Sequence, residues 1–168
     1  GTACSSRQVI YNKAYGSLCS PTRTGYTFDG WYLNGEKVES TDINDNYSNI
    51  TLTANWIANK YVVIYNCNGG TPTDSYSSEH TYDQTSNLAS NRCVKTGSVF
   101  TEWLGSNGVT YSNQQSIKNL LSENNSSITL TAQWTPLTYY VAFDANGGSG
   151  TMNKMTVTYG HVVNLTTN

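Results

Sequence analysis

The chain has 168 residues, of which 37% are hydrophobic and only 12% charged, with a formal net charge of −2. That balance excludes the basic stripe needed to displace counterions from nucleic acid, and no stretch approaches the roughly 18 consecutive apolar residues of a membrane span. Solubility carried by Ser, Thr, Asn and Tyr in place of Lys and Glu is typical of β-rich extracellular proteins.

In chain order, Gln8-Val9-Ile10-Tyr11 reads as a strand, with counterparts in Glu79-His80-Thr81-Tyr82 and Thr156-Val157-Thr158-Tyr159. Gly25-Tyr26-Thr27-Phe28-Asp29-Gly30-Trp31 is an aromatic strand running into an Asn34-Gly35 turn. It returns 72 positions later as Gly97-Ser98-Val99-Phe100-Thr101-Glu102-Trp103. Ile50 to Trp56 alternates Ile, Leu, Ala and Trp with Thr, Thr and Asn, the pattern of an antiparallel sheet with one buried face. Its copy is Ile128 to Trp134, 78 positions on. Tyr61 to Cys67 places Val63, Tyr65 and Cys67 on one face and ends in Asn68-Gly69-Gly70, residues that accept positive φ in a hairpin turn. Tyr139 to Ala145 repeats it, with Val141, Phe143 and Ala145 on the face and Asn146-Gly147-Gly148 as the turn. In the middle copy, Ser116 to Leu121 has apolar residues at i, i+3 and i+4 and suits a single short helix.

The copies divide the chain into three units: residues 1–58, lacking their first strand; a complete unit, 59–136; and the first hairpin of a third, 137–168. Half a unit, a whole one and half of another read as a window on a longer polypeptide or as a mature fragment. Ile57 to Lys60 and Thr135 to Thr138 are four-residue connectors, so short that neighbouring units should form a fairly stiff rod. Tandem repetition is usually selected for length, spacing or multivalent display, which disfavours an enzyme.

Four cysteines, Cys4, Cys19, Cys67 and Cys93, have no Cys-x-x-Cys spacing, and only His80 and His161 could complete a metal site, so disulfides are the better account. Four thiols allow three pairings. Position within the repeat favours Cys4 with Cys19 and Cys67 with Cys93, and oxidised cysteines imply an extracellular compartment. Asp42-Ile43-Asn44-Asp45-Asn46 begins like a calcium loop, but Tyr47 and Thr53 stand where glycine and a bidentate glutamate are required. His80 and His161 lack a partnered Ser, Cys or carboxylate in the sequence around them. No catalytic, metal or cofactor residue is therefore assigned. The tryptophans share the phase of the buried faces and read as core rather than as sugar platforms. A tyrosine-rich wet face is the place to look for a glycan or protein contact.

Phe143-Asp144-Ala145-Asn146-Gly147-Gly148, Val157-Thr158-Tyr159-Gly160, Arg23-Thr24-Gly25-Tyr26-Thr27-Phe28-Asp29-Gly30-Trp31-Tyr32 and Ile128-Thr129-Leu130-Thr131-Ala132-Gln133-Trp134 together resemble the Listeria-Bacteroides repeat, also called the internalin B B-repeat. The resemblance implies small β-grasp-like modules in series, mostly antiparallel sheet with at most one short helix each, in secreted and surface-anchored bacterial proteins. It implies no catalytic residues. The cysteines lie outside its motif, and a ligand site built on Tyr26, Asp29 or Tyr32 would be absent from the middle unit, where these become Ser98, Thr101 and Leu104.

The expectation is thus a non-enzymatic, extracellular stalk, spacer or adhesion segment of a bacterial surface or secreted protein. Its partners would be neighbouring repeats, other copies of itself, or a host or bacterial surface protein or glycan, with no cofactor, nucleic acid or membrane insertion. The alternatives are a binding module and a subunit joined head to tail by strand complementation, in which the 139–146 strand completes the sheet of 8–56 in another molecule.

Overall fold

A computed structural model describes residues 1–165; the last three residues of the third unit lie outside the described residues. Every helix or strand element among them is a strand. In chain order these are β1 (Tyr26–Leu33), β2 (Glu36–Val38), β3 (Thr53–Ala58), β4 (Lys60–Asn66), β5 (Tyr76–Thr81), β6 (Ser86–Asn87), β7 (Ser98–Gly105), β8 (Thr110–Tyr111), β9 (Ser116–Ile117), β10 (Ser126–Pro136), β11 (Thr138–Val141) and β12 (Met155–Thr158). Four sheets result, in the orders β2-β1-β3, β5-β4-β10-β7-β8, β11-β12 and β6-β9. The architecture is mainly β, built from small modules.

The described residues group into two compact bodies, one of 1–63, 78–87 and 116–127, the other of 64–77, 88–115 and 128–165. In the first body, β1 turns into β2 through Asn34 and Gly35, both at positive φ (52° and 91°), the backbone that a two-residue hairpin loop requires. β1 then pairs antiparallel with β3, Trp31 opposite Ala54 and Phe28 opposite Trp56. In the second body β7 pairs with β10 in the matching register, Trp103 opposite Ala132 and Phe100 opposite Trp134.

Phe28 and Trp31 are three residues apart, as are Phe100 and Trp103, so in a regular strand each pair would point to opposite faces. A register shift between Phe28 and Gly30, and another at the matching place in β7, inserts one extra residue and brings both rings to the same side. The Phe28 ring consequently lies 5.5 Å from Trp31 and 5.4 Å from Trp56, and Phe100 lies 4.9 Å from Trp103 and 5.9 Å from Trp134. These edge-to-face and tilted clusters are the packing units of the two repeats. In the second body Trp103 is fully buried against Tyr65 at 5.1 Å, with Leu130 and Ala132 also fully buried and Leu88 nearly so.

Inward alternation along β4 and into Cys67 just after it is as expected: Val63, Tyr65 and Cys67 are buried, and Tyr61 joins them. The Asn-Gly turns that follow β4 and β11 also repeat in detail. Asn68 and Asn146 sit at positive φ, the Asn68 amide donates to Asn66 Oδ1 (2.8 Å), and the Asn146 amide donates to Asp144 Oδ1 (2.9 Å).

Several local expectations are corrected. Ser116 to Leu121 is not a helix. Ser116 and Ile117 form β9 on β6, and Asn119 at φ 57° breaks any helical continuation. Six residues cannot carry the nucleation cost of an isolated helix, so the competing pairing wins. Gln8 to Tyr11 is not a strand, because no neighbouring strand pairs with it among the described residues; nearby only Ala14 bridges Ile43. Ile50 to Leu52 likewise stay outside β3, whereas their counterparts Ile128 to Leu130 belong to β10, which β4 flanks. Finally, the four-residue connectors shrink to one residue each, Asn59 between β3 and β4 and Leu137 between β10 and β11, because strand pairing extends through the residues on either side.

Candidate functional site

The single-residue joints are where repeats meet, and both are built the same way. Asn59 N–H donates to the Gly25 carbonyl (2.9 Å), and the Asn59 carbonyl accepts from the Tyr82 amide (2.8 Å). At the second joint Leu137 N–H donates to the Gly97 carbonyl (2.8 Å), and its carbonyl accepts from Tyr159 N–H (2.8 Å). The glycine is required twice over. Gly25 and Gly97 have φ of +76° and +67°, where a side chain is strained, and a Cβ at either would overlap the ring of Tyr82 or Tyr159. The tyrosine of the following repeat therefore lies flat on the glycine backbone of the preceding one.

The first joint carries an added polar network. Asn59 is buried and both polar atoms of its amide are engaged: Thr27 Oγ1 donates to Oδ1 (2.6 Å) and Nδ2 donates to the Ser122 carbonyl (2.7 Å). The Tyr26 hydroxyl donates to Asp83 Oδ2 at 2.8 Å, while Asn119 Nδ2 (2.9 Å) and Lys118 Nζ (3.6 Å) approach Asp83 Oδ1. Hydrogen bonds from Asn119 and Tyr26, with the Lys118 charge, hold the Asp83 carboxyl below its ordinary pKa, and the bond to Asp83 pushes the Tyr26 hydroxyl up. Arg23 lies over the Tyr26 ring at 3.7 Å, a cation–π contact. Serine and valine at 98 and 99 replace Tyr26 and Thr27 at the second joint, so the backbone clasp there stands without this network.

The first body also holds a cavity of about 540 Å³. Trp31 of β1, Ile50 and Leu52 line one side; Val9, Leu18 and the Cys4–Cys19 disulfide line others. All three of those first residues are half-buried, whereas their counterparts Trp103, Ile128 and Leu130 in the middle repeat are buried. Trp31 Nε1 donates to the Cys19 carbonyl at 2.7 Å.

The four cysteines stand in two disulfides, Cys4–Cys19 and Cys67–Cys93, with Cα separations of 6.2 and 5.4 Å. The acidic stretch at 42–46 is a turn rather than a cation loop: Asp42 Oδ2 accepts from the Glu39 amide (2.8 Å), and buried Asn44 Oδ1 accepts from the Asn46 amide (3.2 Å). No cluster of three metal-ligating side chains exists among the described residues. Tyr32 and Asp29 also prove to be tied to one another, the hydroxyl donating to Asp29 Oδ2 at 3.0 Å with Asn55 adding a second bond at 2.9 Å. The reading of His80 as a residue without a serine partner is overturned. Its ring lies between Ser78 Oγ (2.7 Å at Nε2) and Ser86 Oγ (2.6 Å at Nδ1), and it stacks on Tyr61 at 5.6 Å. Ser86 is six residues away on another strand, a proximity only the fold creates. The ring is buried, burial lowers its pKa, and no carboxylate among the described residues contacts it, so it serves as a neutral hydrogen-bond hub inside the core.

Sequence reasoning missed the glycine–tyrosine clasp. Its signal was present, since Gly25 and Gly97 precede the aromatic strands and Tyr82 and Tyr159 follow the joints at matching distances, but only the chain's path brings them together.

A search of curated proteins finds two relatives in Evansella cellulosilytica. One, named "Putative Gly-rich membrane protein", is 26% identical over 151 residues, covering 89% of this chain and 17% of its own length. Another, named "Putative membrane protein", is 27% identical over 145 residues, covering 85% of this chain and 21% of its own. The chain thus spans about a fifth of the length of the curated relatives it matches. No solved structure matches it. The model of the Listeria-Bacteroides repeat domain matches residues 1–55, 61–133 and 139–168, three successive copies that leave out only 56–60 and 134–138, the stretches around the joints. With the same joint and the same aromatic cluster recurring in step, the chain belongs to the Listeria-Bacteroides repeat domain family.

Proposed function

We propose that the chain is a non-enzymatic, extracellular spacer and adhesion segment of a bacterial surface or secreted protein. The observation that carries this reading is the pair of identical clasps, one residue long, in which each joint is hydrogen-bonded on both sides and covered by a tyrosine ring. A one-residue joint held this way resists the bending that a flexible linker permits. Its mechanical role is to fix the spacing and orientation of successive β-grasp-like modules, and the disulfides stiffen modules whose cores are small. Disulfides support a position outside the cell, and the names of the two relatives support an association with a membrane. No helix among the described residues is long and apolar enough to cross a membrane. Adhesion to a glycan or protein would use the exposed tyrosines, such as Tyr47 and Tyr140, which are 87% and 71% exposed.

Backbone ¹⁵N relaxation tests the spacer role. One rotational correlation time shared by amides of β1 to β3 and of β4 supports it. Separate correlation times on the two sides of Asn59 would show a hinge and sink it. Glycan-array and surface-protein binding by the chain test the adhesive role separately.

A further inference from the structure

We propose that the outward face of the β1–β2 hairpin and β3 carries a saccharide-binding site, with Asp29, Tyr32, Lys37 and Asn55 as its contact residues and a neutral pyranose as its ligand. This rests on the adhesive part of the reading above and names the ligand class and the residues that take it.

The site is a product of the bulge. Where the register of β1 against β3 shifts between Phe28 and Gly30, Asp29 is the extra residue. A bulged residue is left unpaired and its side chain is re-aimed. Phe28 and Trp31 turn inward together, and Asp29 comes to lie with Tyr32 and Asn55. The Tyr32 hydroxyl and Asn55 Nδ2 both donate to Asp29 Oδ2, at 3.0 and 2.9 Å. Lys37 stands opposite Tyr32 in the β1–β2 pairing, and its Nζ lies 3.7 Å from Asp29 Oδ1 and 3.9 Å from Glu39 Oε1. Gly30 gives the lysine that path, since a Cβ at residue 30 would overlap Lys37 Cε.

Beside this cluster Tyr32, Asn34, Gly35, Thr53 and Asn55 border a surface hollow of about 520 Å³. Its polar groups keep unused capacity. Asn55 Oδ1 takes no donor among the described residues, and Lys37 approaches Asp29 Oδ1 as an ion pair, too far for a hydrogen bond. Two acceptors and an ammonium donor at one place suit neighbouring hydroxyls, each of which both donates and accepts. A charged ligand fits less well, because an anion meets Asp29 and Glu39 and a cation meets Lys37. Tyr32, half-buried and pinned by its own hydroxyl bond, supplies the apolar surface that the C–H groups of a pyranose need. These side chains already hold one another, so little ordering cost opposes binding.

The middle repeat is an internal control. It keeps the bulge and the aromatic cluster, yet Thr101, Glu102, Leu104 and Gln133 replace Asp29, Gly30, Tyr32 and Asn55, and Leu104 pairs with Thr110 where Tyr32 pairs with Lys37. Gln133 Nε2 turns back to the Thr131 carbonyl at 3.1 Å. Packing of the repeat therefore does not require the polar cluster. Nor does the cluster rest on the far edge of β3: in the middle repeat β4 lies on the side of β10 away from β7, whereas Asp29, Tyr32 and Lys37 stand on β1 and β2, across β3 from the corresponding place.

Titration of the ¹⁵N-labelled intact chain with maltotetraose, mannotetraose and tetra-N-acetylchitotetraose tests the proposal. At least one should shift the Asn55 side-chain amide and the Asn34 and Thr53 backbone amides saturably, while the Gln133 side-chain amide stays still. Asp29→Thr combined with Tyr32→Leu installs the residues that the middle repeat carries and should weaken binding at least about tenfold, with the Trp56 indole resonance unmoved to show an intact fold. Lys37→Met, which leaves β1 untouched, should weaken it in the same direction. Saturable shifts that survive these variants would overturn the site and leave an adhesive role standing. No saturable shift with any of the three at millimolar concentration would overturn the proposal, and binding of surface proteins would then test the adhesive reading by itself.

Discussion

Substituting Gly25 by alanine probes the joint directly, because the structure assigns it two separable costs. The backbone at φ +76° costs an L-residue about 1–2 kcal/mol. The new Cβ also overlaps the Tyr82 ring, including its Cγ, so a flip of the ring about its own axis does not clear it and the whole side chain must move. Overpacking of this kind costs about 1–3 kcal/mol. The single variant should therefore lose about 2–5 kcal/mol at the joint. Tyr82→Ala removes the ring and the overlap with it. In the double variant only the backbone cost remains, so the cycle should show a coupling of about 1–3 kcal/mol between positions 25 and 82. Native-state hydrogen exchange of the Asn59 and Tyr82 amides reads this locally, since both donate in the clasp. Additive effects, with coupling under about 0.5 kcal/mol, would show that the ring does not rest on the glycine and would refute the clasp.

Further outcomes follow from the core and the disulfides. Removing Cys67–Cys93 by paired serine substitution should destabilise the middle repeat by about 3.5 kcal/mol, from chain entropy over a sequence separation of 26, read as a lower denaturant midpoint with a slope no smaller than that of the disulfide-bonded chain. Trp103→Ala should cost about 3–5 kcal/mol because the ring is fully buried, whereas Trp31→Ala should cost less in the isolated chain, since Trp31 faces the cavity; equal losses would contradict the difference between the repeats. His80 is held neutral by burial, so its folded pKa lies below its unfolded value near 6.5. The unfolded chain takes up the proton first, so stability is fully present above about pH 6.5, falls as the pH drops towards the folded pKa and levels off below it. Chemical denaturation from pH 7.5 to 5 should show this slope, and His80→Gln should remove the His80 contribution.

Periodicities and turn chemistry were local properties and were legible from the residues alone: the three copies, the inward face of β4, the Asn-Gly turns and the mainly β class. Each depends on neighbours within a few positions, where alternation and positive-φ residues act directly. The three-residue spacing of Phe28 and Trp31 carried a contradiction that the sequence could not resolve. Strand periodicity separates the two rings, and only pairing against β3 revealed the bulge that unites them. Ser116 to Leu121 had helical spacing, but pairing with Ser86 and Asn87, some thirty residues earlier, decided its conformation. His80 acquired its serines, Asn59 its four partners and Gly25 its covering tyrosine in the same way, through contacts between segments distant in the chain. What the sequence determined by itself was therefore the inventory of repeated strands and turns. Tertiary structure decided which edges were paired and how short the joints became, because those depend on which distant backbone satisfies each strand's remaining hydrogen-bonding groups.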